Sequence, residues 1–229
     1  ARNWDYTASK RVDAFIANSP VPQKRIKKYY GRNSVVIFPP VDFPEDIEKF
    51  VDTKLESEKY FVVMTRLAPW KRVDIAIEAC AKLKLNLKVI GDGPAFKKLQ
   101  NQVEKLGAQD HIHLLGYVSS GEKWKLLKNC QGLIMTQEED FGISPLEAMS
   151  MGRPVLAYKK GGSLVSVIPG ETGDFFNYQN SESVVASLEK FHPEAYLPQA
   201  CHFQAKKFSK QVFLQKMQDE LNRVYYKEI

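Results

Sequence analysis

From Lys59 onward, apolar runs of strand length alternate with amphipathic stretches of helix length. "YFVVMTRL" reads as an apolar strand. In "KRVDIAIEACAKLKL", Val73, Ile77, Cys80 and Leu83 recur at helical spacing. "LKVIGDGP" is a short strand running into a Gly-rich turn, and "AFKKLQNQVEKLG" is a helix stopped by Gly107. "IHLLGYV", "GLIMTQ" and "PVLAY" are further strands; "GEKWKLLKNC" and "SPLEAMSM" are further helices, the second ended by Gly152. Strands that are apolar throughout, separated by amphipathic helices, predict a parallel sheet covered on both faces. The fold class is α/β: a doubly wound, Rossmann-like domain with a helical C-terminus.

The two ends read differently. In residues 1–42, "VDAFIANS" is strand-like, Ser19 caps a helix through "VPQKRIKKYY" that Gly31 stops, and "SVVIFPPVD" is a second strand ended by Pro39-Pro40. Acidic, Pro-containing sequence through Glu48 reads as linker. Toward the end, Val184, Val185, Leu188 and Phe191 form one apolar stripe; Phe208, Val212, Phe213, Met217, Leu221 and Val224 form another. The last helix therefore needs a partner, and residues 1–42 are the expected one. The chain divides into 1–42, a central α/β part over 43–200, and a C-terminal helix within 201–229.

Composition narrows the class. The chain has 229 residues, 44% apolar and 26% charged, as expected of a globular protein. No apolar run approaches the length of a membrane span. The start, "ARNWDYTASK", lacks an apolar signal core, so the expected location is cytoplasmic. Cys80, Cys130 and Cys201 are far apart without metal spacing and read as reduced core thiols. His111, His113, His192 and His202 form no ligand motif, and His111 and His113 share one face of a strand. Net charge is +6, with clusters at "QKRIKKYYGR" and "QAKKFSKQ". These suit solvated helix faces, and beyond that an anionic substrate, nucleic acid or an anionic membrane, at whose inner face the protein would sit. No nucleic-acid-binding signature accompanies them.

In an open α/β sheet, ligands bind at the carboxyl ends of the strands. Five loops lie there: "TRLAPWKR", "GDGP", "GYVSSGEK", "QEEDFG" and "KKGGS". Arg66 and Lys71 on the first could clamp a diphosphate or could be two solvated cations. "GDGP" lets backbone turn sharply and approach a ligand. The dinucleotide fingerprint G-x-G-x-x-G is absent, because Phe96 occupies the last glycine's place, and there is no P-loop.

"QEEDFGISPLEAMSMGRPV" gathers Glu138, Glu139, Asp140 and Glu147 around one helix start. Ser144 and Glu147 have the spacing of a capping box, with Pro145 at the first helical position. Capping accounts for Glu147 and does not account for Phe141-Gly142 between acidic residues.

E-x-F-G followed by P-L-E-A-M-x-x-G-x-P-V closely resembles the E-x7-E signature of retaining glycosyltransferases with the GT-B fold. "TRLAPWK", "GDGP", "HLLGYV", "KKGGSLVSVIPGETGDFF" and "AKKFS" follow in that family's order. "RVDAFIANS", "RIKKYYGR" and "VVIFPPVD" resemble the junction between the two halves of such enzymes. The branch it looks most like is the mannosyltransferase-like proteins of surface-polysaccharide assembly. The resemblance implies that Arg66 and Lys71 hold the donor diphosphate, Glu147 the ribose, and Glu139 the transferred sugar. Backbone N–H groups from Phe141 through Gly142 to Ile143 would reach sugar or phosphate, and Val118 and Lys123 would lie by the base. Departures are Thr65 for the family's Gly, Trp70 where an acidic residue is common, and Val165 for a Glu.

So placed, the chain would be the donor-binding half, residues 1–42 being the crossing segment from an acceptor half. The full enzyme would transfer mannose from GDP-mannose, favoured over UDP-sugars, to a glycan or lipid-linked acceptor with retention. Neither a metal nor any other cofactor is expected, and this half alone would transfer little. The alternatives are a nucleotide-sugar-binding module without transfer, a related epimerase, or a basic nucleic-acid or membrane-surface module.

Overall fold

The structure, a computed structural model, describes residues 2–44 and 59–226. In chain order its elements are α1 (Arg2–Ser9), β1 (Ile16–Ala17), α2 (Pro20–Tyr30), β2 (Val35–Val36), β3 (Tyr60–Met64), α3 (Val73–Leu83), β4 (Asn86–Ile90), α4 (Phe96–Lys105) and β5 (Ile112–Gly116). They continue with α5 (Ser120–Asn129), β6 (Gly132–Met135), α6 (Ile143–Ser150), β7 (Val155–Tyr158), α7 (Ser163–Ser166), β8 (Gly173–Phe176), α8 (Ser181–Leu188), α9 (Pro198–Lys206) and α10 (Lys210–Tyr225).

The main sheet has six strands in the order β5-β4-β3-β6-β7-β8, and every neighbouring pair is parallel. Strand order reverses between β3 and β6, which makes their carboxyl ends the switch point of a doubly wound sheet. The central strands are apolar throughout because both faces are covered. On β3, Phe61 and Val63 join one core with α3, α4 and α8. Tyr60 and Val62 join the other, built with α6 and α9. Leu133 and Met135 of β6 face the second core, and Ile134 the first.

The leading segment forms its own two-stranded parallel sheet, β1 with β2. The strands expected from "VDAFIANS" and "SVVIFPPVD" are thus two paired residues each. Ser19 caps α2 by accepting from Val21 N–H at 3.3 Å, and Gly31 ends it in the left-handed region (φ 68°). The acidic linker expected through Glu48 lies, beyond Pro44, outside the described residues.

Two expectations need correction, the burial of the last helix and the placing of His111 and His113. The last helix has a broad apolar face, but Val212, Phe213, Met217 and Val224 are only half-buried, Leu221 is exposed, and Glu220 is its buried residue. Its start meets the leading segment: Val41 N–H donates to Phe208 O at 2.9 Å, and Phe38 packs edge-on to Phe208. The glycines of "GDGP" pack closely on the backbone that follows β3. A Cβ on Gly91 would lie 1.9 Å from Thr65 O, and one on Gly93 2.5 Å from Leu67 O, so they admit the backbone after β3. His113 is exposed on β5, while His111 precedes that strand.

All three cysteines are buried free thiols. Among the described residues, no helix is long and apolar enough to cross a membrane, and no His/Cys/Asp/Glu cluster could hold a metal.

Candidate functional site

The switch point brings together the loop after β3, with Arg66 and Lys71, and the loop after β6, which leads through Glu139 into α6. Two hydrogen bonds tie these loops. Thr136 Oγ1 donates to Lys71 O at 2.8 Å, and Ser144 Oγ donates to Met64 O at 2.9 Å.

The second bond overturns the capping box. Helix α6 starts with Gly142 at its N-cap (φ 87°) and has no side-chain cap. Ser144 spends its hydroxyl on the end of β3. Ile143 and Ser144 therefore begin the helix with N–H groups lacking an intrahelical acceptor. They border a cleft of about 320 Å³ whose lining includes Asn18, Pro39, Gln137, Glu139, Gly142 and Ile143. Asn18 and Pro39 extend this wall from the leading segment, a contribution the sequence reading missed.

The four acidic residues are each paired with a cation from a different element. Glu139 pairs with Lys71, and Glu147 with Lys123 of α5 at 2.7 Å. Asp140 pairs with Arg25 of α2 at 2.8 Å, and Glu138 with Lys160 at 3.2 Å. The first two pairs are largely buried, with side-chain exposures of 16% and 28% for Lys71 and Glu139, and 24% and 14% for Lys123 and Glu147. The outer two are exposed, so water screens them and they add little stability. The hydrogen bond to Glu138 raises the Lys160 ammonium above its ordinary range. No local signal reveals these pairs, because their partners lie far apart in the chain.

Other expected residues separate by role. Arg66 is exposed, and its guanidinium has no partner among the described residues. Val118 is half-buried against the core on the α6 side. Phe141 is buried, its ring stacked on Phe38 with centroids 5.6 Å apart and tilted against Phe208. What Phe141 offers the cleft is backbone. Buried Gln137 donates weakly to Thr65 Oγ1 (3.4 Å), and its Oε1 has no partner among the described residues. The "KKGG" loop closes onto this region: Gly162 N–H donates to Glu139 O at 2.7 Å, and a Cβ on Gly162 would lie 2.0 Å from Phe141 O.

Six parallel strands in this order, with a charged cleft at the switch point, define a Rossmann-like α/β domain. More particularly, the chain belongs to the family of glycosyl transferases group 1, which residues 44–208 match. It is 32% identical over 158 residues to the uncharacterized glycosyltransferase MJ1178 of Methanocaldococcus jannaschii, covering 69% of this chain and 45% of that protein. It is 29% identical over 147 residues to alpha-1,3/1,6-mannosyltransferase ALG2 of Dictyostelium discoideum, covering 54% of this chain and 35% of that protein. Among solved structures, Anabaena Alr3699/HepE in complex with UDP and glucose superposes with a TM-score of 0.80 at 24% identity, over 97% of this chain and 66% of that one. The chain thus spans less than half the length of these two curated relatives.

Proposed function

We propose that this chain is the donor-binding part of a retaining glycosyltransferase and binds a nucleotide sugar in the switch-point cleft. The observation that carries the reading is the meeting at that cleft of the uncapped start of α6 with Glu139, which Lys71 pairs. A helix start attracts phosphate through its free N–H groups and dipole. A carboxylate repels phosphate but accepts well from sugar hydroxyls.

Each residue then has a task. Lys71 leaves Glu139 for the diphosphate, and Arg66, which has no partner among the described residues, joins it. Glu139, once released, accepts from hydroxyls of the transferred sugar, and Glu147 accepts from the ribose. Backbone N–H groups around Gly142 and Ile143 meet the diphosphate or the sugar. Gln137 Oε1, buried without a donor among the described residues, gains one from a sugar hydroxyl or a bridging water. Val118 borders the base. In the reaction the bond between the anomeric carbon and the diphosphate oxygen breaks. An acceptor hydroxyl bonds to that carbon on the same face as its proton passes to the departing diphosphate oxygen. Negative charge grows on the departing diphosphate, where Arg66, Lys71 and the helix start stabilise it.

Likeness to ALG2, a mannosyltransferase, favours mannose, and GDP-mannose is the donor we propose. HepE was seen with UDP and glucose, which makes UDP-sugars the second reading. The acceptor is a glycan or a lipid-linked saccharide presented by another part of the enzyme. The basic segments "RIKKYYGR" and "QAKKFSKQ" could bring it to an anionic membrane at the cytoplasmic face. Calorimetric titration with GDP-mannose, UDP-glucose and UDP-N-acetylglucosamine tests the reading: one should bind, and Lys71→Met should abolish that binding.

A further inference from the structure

We propose that Lys123 is the positioning residue of Glu147, and that this pair reads the ribose of a bound nucleoside diphosphate. The proposal rests on the nucleotide-sugar reading above. Glu147 has the least exposed side chain of the four acidic residues, at 14% against 28% for Glu139, 41% for Asp140 and 45% for Glu138. A largely buried carboxylate needs a fixed counter-charge. Lys123 supplies it, with Nζ 2.7 Å from Oε1. The other oxygen, Oε2, has no partner among the described residues.

The lysine is itself held. Its backbone N–H donates to Ser119 O at 2.9 Å, at a helix start that the Ser119 hydroxyl caps. Its Nζ also lies 4.2 Å from the centroid of the Trp124 ring. With one oxygen anchored, the carboxylate has one direction left for its second acceptor. Adjacent hydroxyls on a ribose need that: an acceptor in one place, prepared before the ligand arrives. Helix α6 cannot provide the orientation, because Glu147 takes no part in capping it.

The test is calorimetric titration of wild type, Lys123→Met and Lys123→Arg with UDP, GDP and their 2′,3′-dideoxy forms. Wild type should prefer the ribose forms by about tenfold or more, the value of a hydrogen bond to a charged group. Lys123→Met should lose that preference, its affinity for the ribose forms falling to about that for the dideoxy forms. Lys123→Arg should retain most of it. If Lys123→Met fails to fold by its melting curve, Lys123→Gln takes its place. An unchanged preference, or equal weakening of both forms, overturns the role of Lys123. Failure of the wild type to bind any nucleoside diphosphate overturns the reading beneath it instead.

Discussion

The Ser144 hydroxyl donates to the Met64 carbonyl at 2.9 Å, joining the start of α6 to the end of β3 across 80 residues of sequence. The bond fixes one wall of the cleft relative to the other. Ser144→Ala should therefore act as the loss of a tertiary hydrogen bond, costing about 1 kcal/mol. Helix content by circular dichroism should stay unchanged while the melting temperature falls. A loss of helix signal without a fall in melting temperature would restore the capping role.

Gly162 sits where the "KKGG" loop meets the backbone of Phe141. Gly162→Ala would place a Cβ 2.0 Å from Phe141 O, and both partners are backbone, so one loop must move. Stability should fall, and so should affinity for a nucleotide sugar. Gly170→Ala is the control: its φ is 76°, with no atom within 4 Å of an added Cβ, so it should show backbone strain alone, about 1 kcal/mol. Paired melting curves and titrations separate the two effects.

The two glutamates should respond in opposite ways. Glu147→Gln removes a charged acceptor from the ribose and should weaken nucleoside diphosphate binding by about 1.5–3 kcal/mol. Glu139→Gln releases Lys71 from its ion pair, so the ammonium meets the diphosphate without competition. UDP or GDP should then bind at least as tightly as to wild type, while the added affinity from an attached sugar disappears. Similar nucleotide affinities in the two variants would refute the assignment.

The thiols of Cys80, Cys130 and Cys201 are each pushed up to about 12 by burial. Unfolded thiols titrate near 8.5. Between those limits the unfolded chain holds fewer protons than the folded one. This contribution to stability is thus full below about pH 8.5 and is lost as pH rises toward 12. Native protein at pH 8 should be inert to a disulfide reagent such as DTNB, and denatured protein should react at all three sites. A native thiol reacting at the rate of free cysteine would show that its site opens.

Where the chain's pattern depends on neighbours in sequence, it was readable. "YFVVM" and "VLAY" announce strands buried on both faces, and Ser19 and Gly31 announce the limits of α2. Helix α1 was missed because Arg2–Ser9 has no apolar stripe to signal it. Strand β8 was missed because "GDFF" offers two apolar residues in a turn-rich setting, and it forms by pairing with β7. Ser144 misled because S-x-x-E looks the same whether the serine caps its helix or bonds a distant carbonyl. The site's acidic residues could be found, but not their partners: Lys71 and Glu139 are 68 positions apart, and Arg25 and Asp140 are 115. Only the folded sheet brings such pairs together.

On this reading the switch-point cleft binds the nucleotide part of a sugar donor. Calorimetric titration of the chain with UDP and GDP, with and without Lys71→Met, tests it most directly. We expect saturable binding of at least one nucleotide, with thermal stabilisation of about 2.7 kcal/mol at a hundred times its dissociation constant, both abolished by Lys71→Met. Absence of heat and of any thermal shift with either nucleotide at millimolar concentration, in a chain that melts cooperatively, would contradict the account.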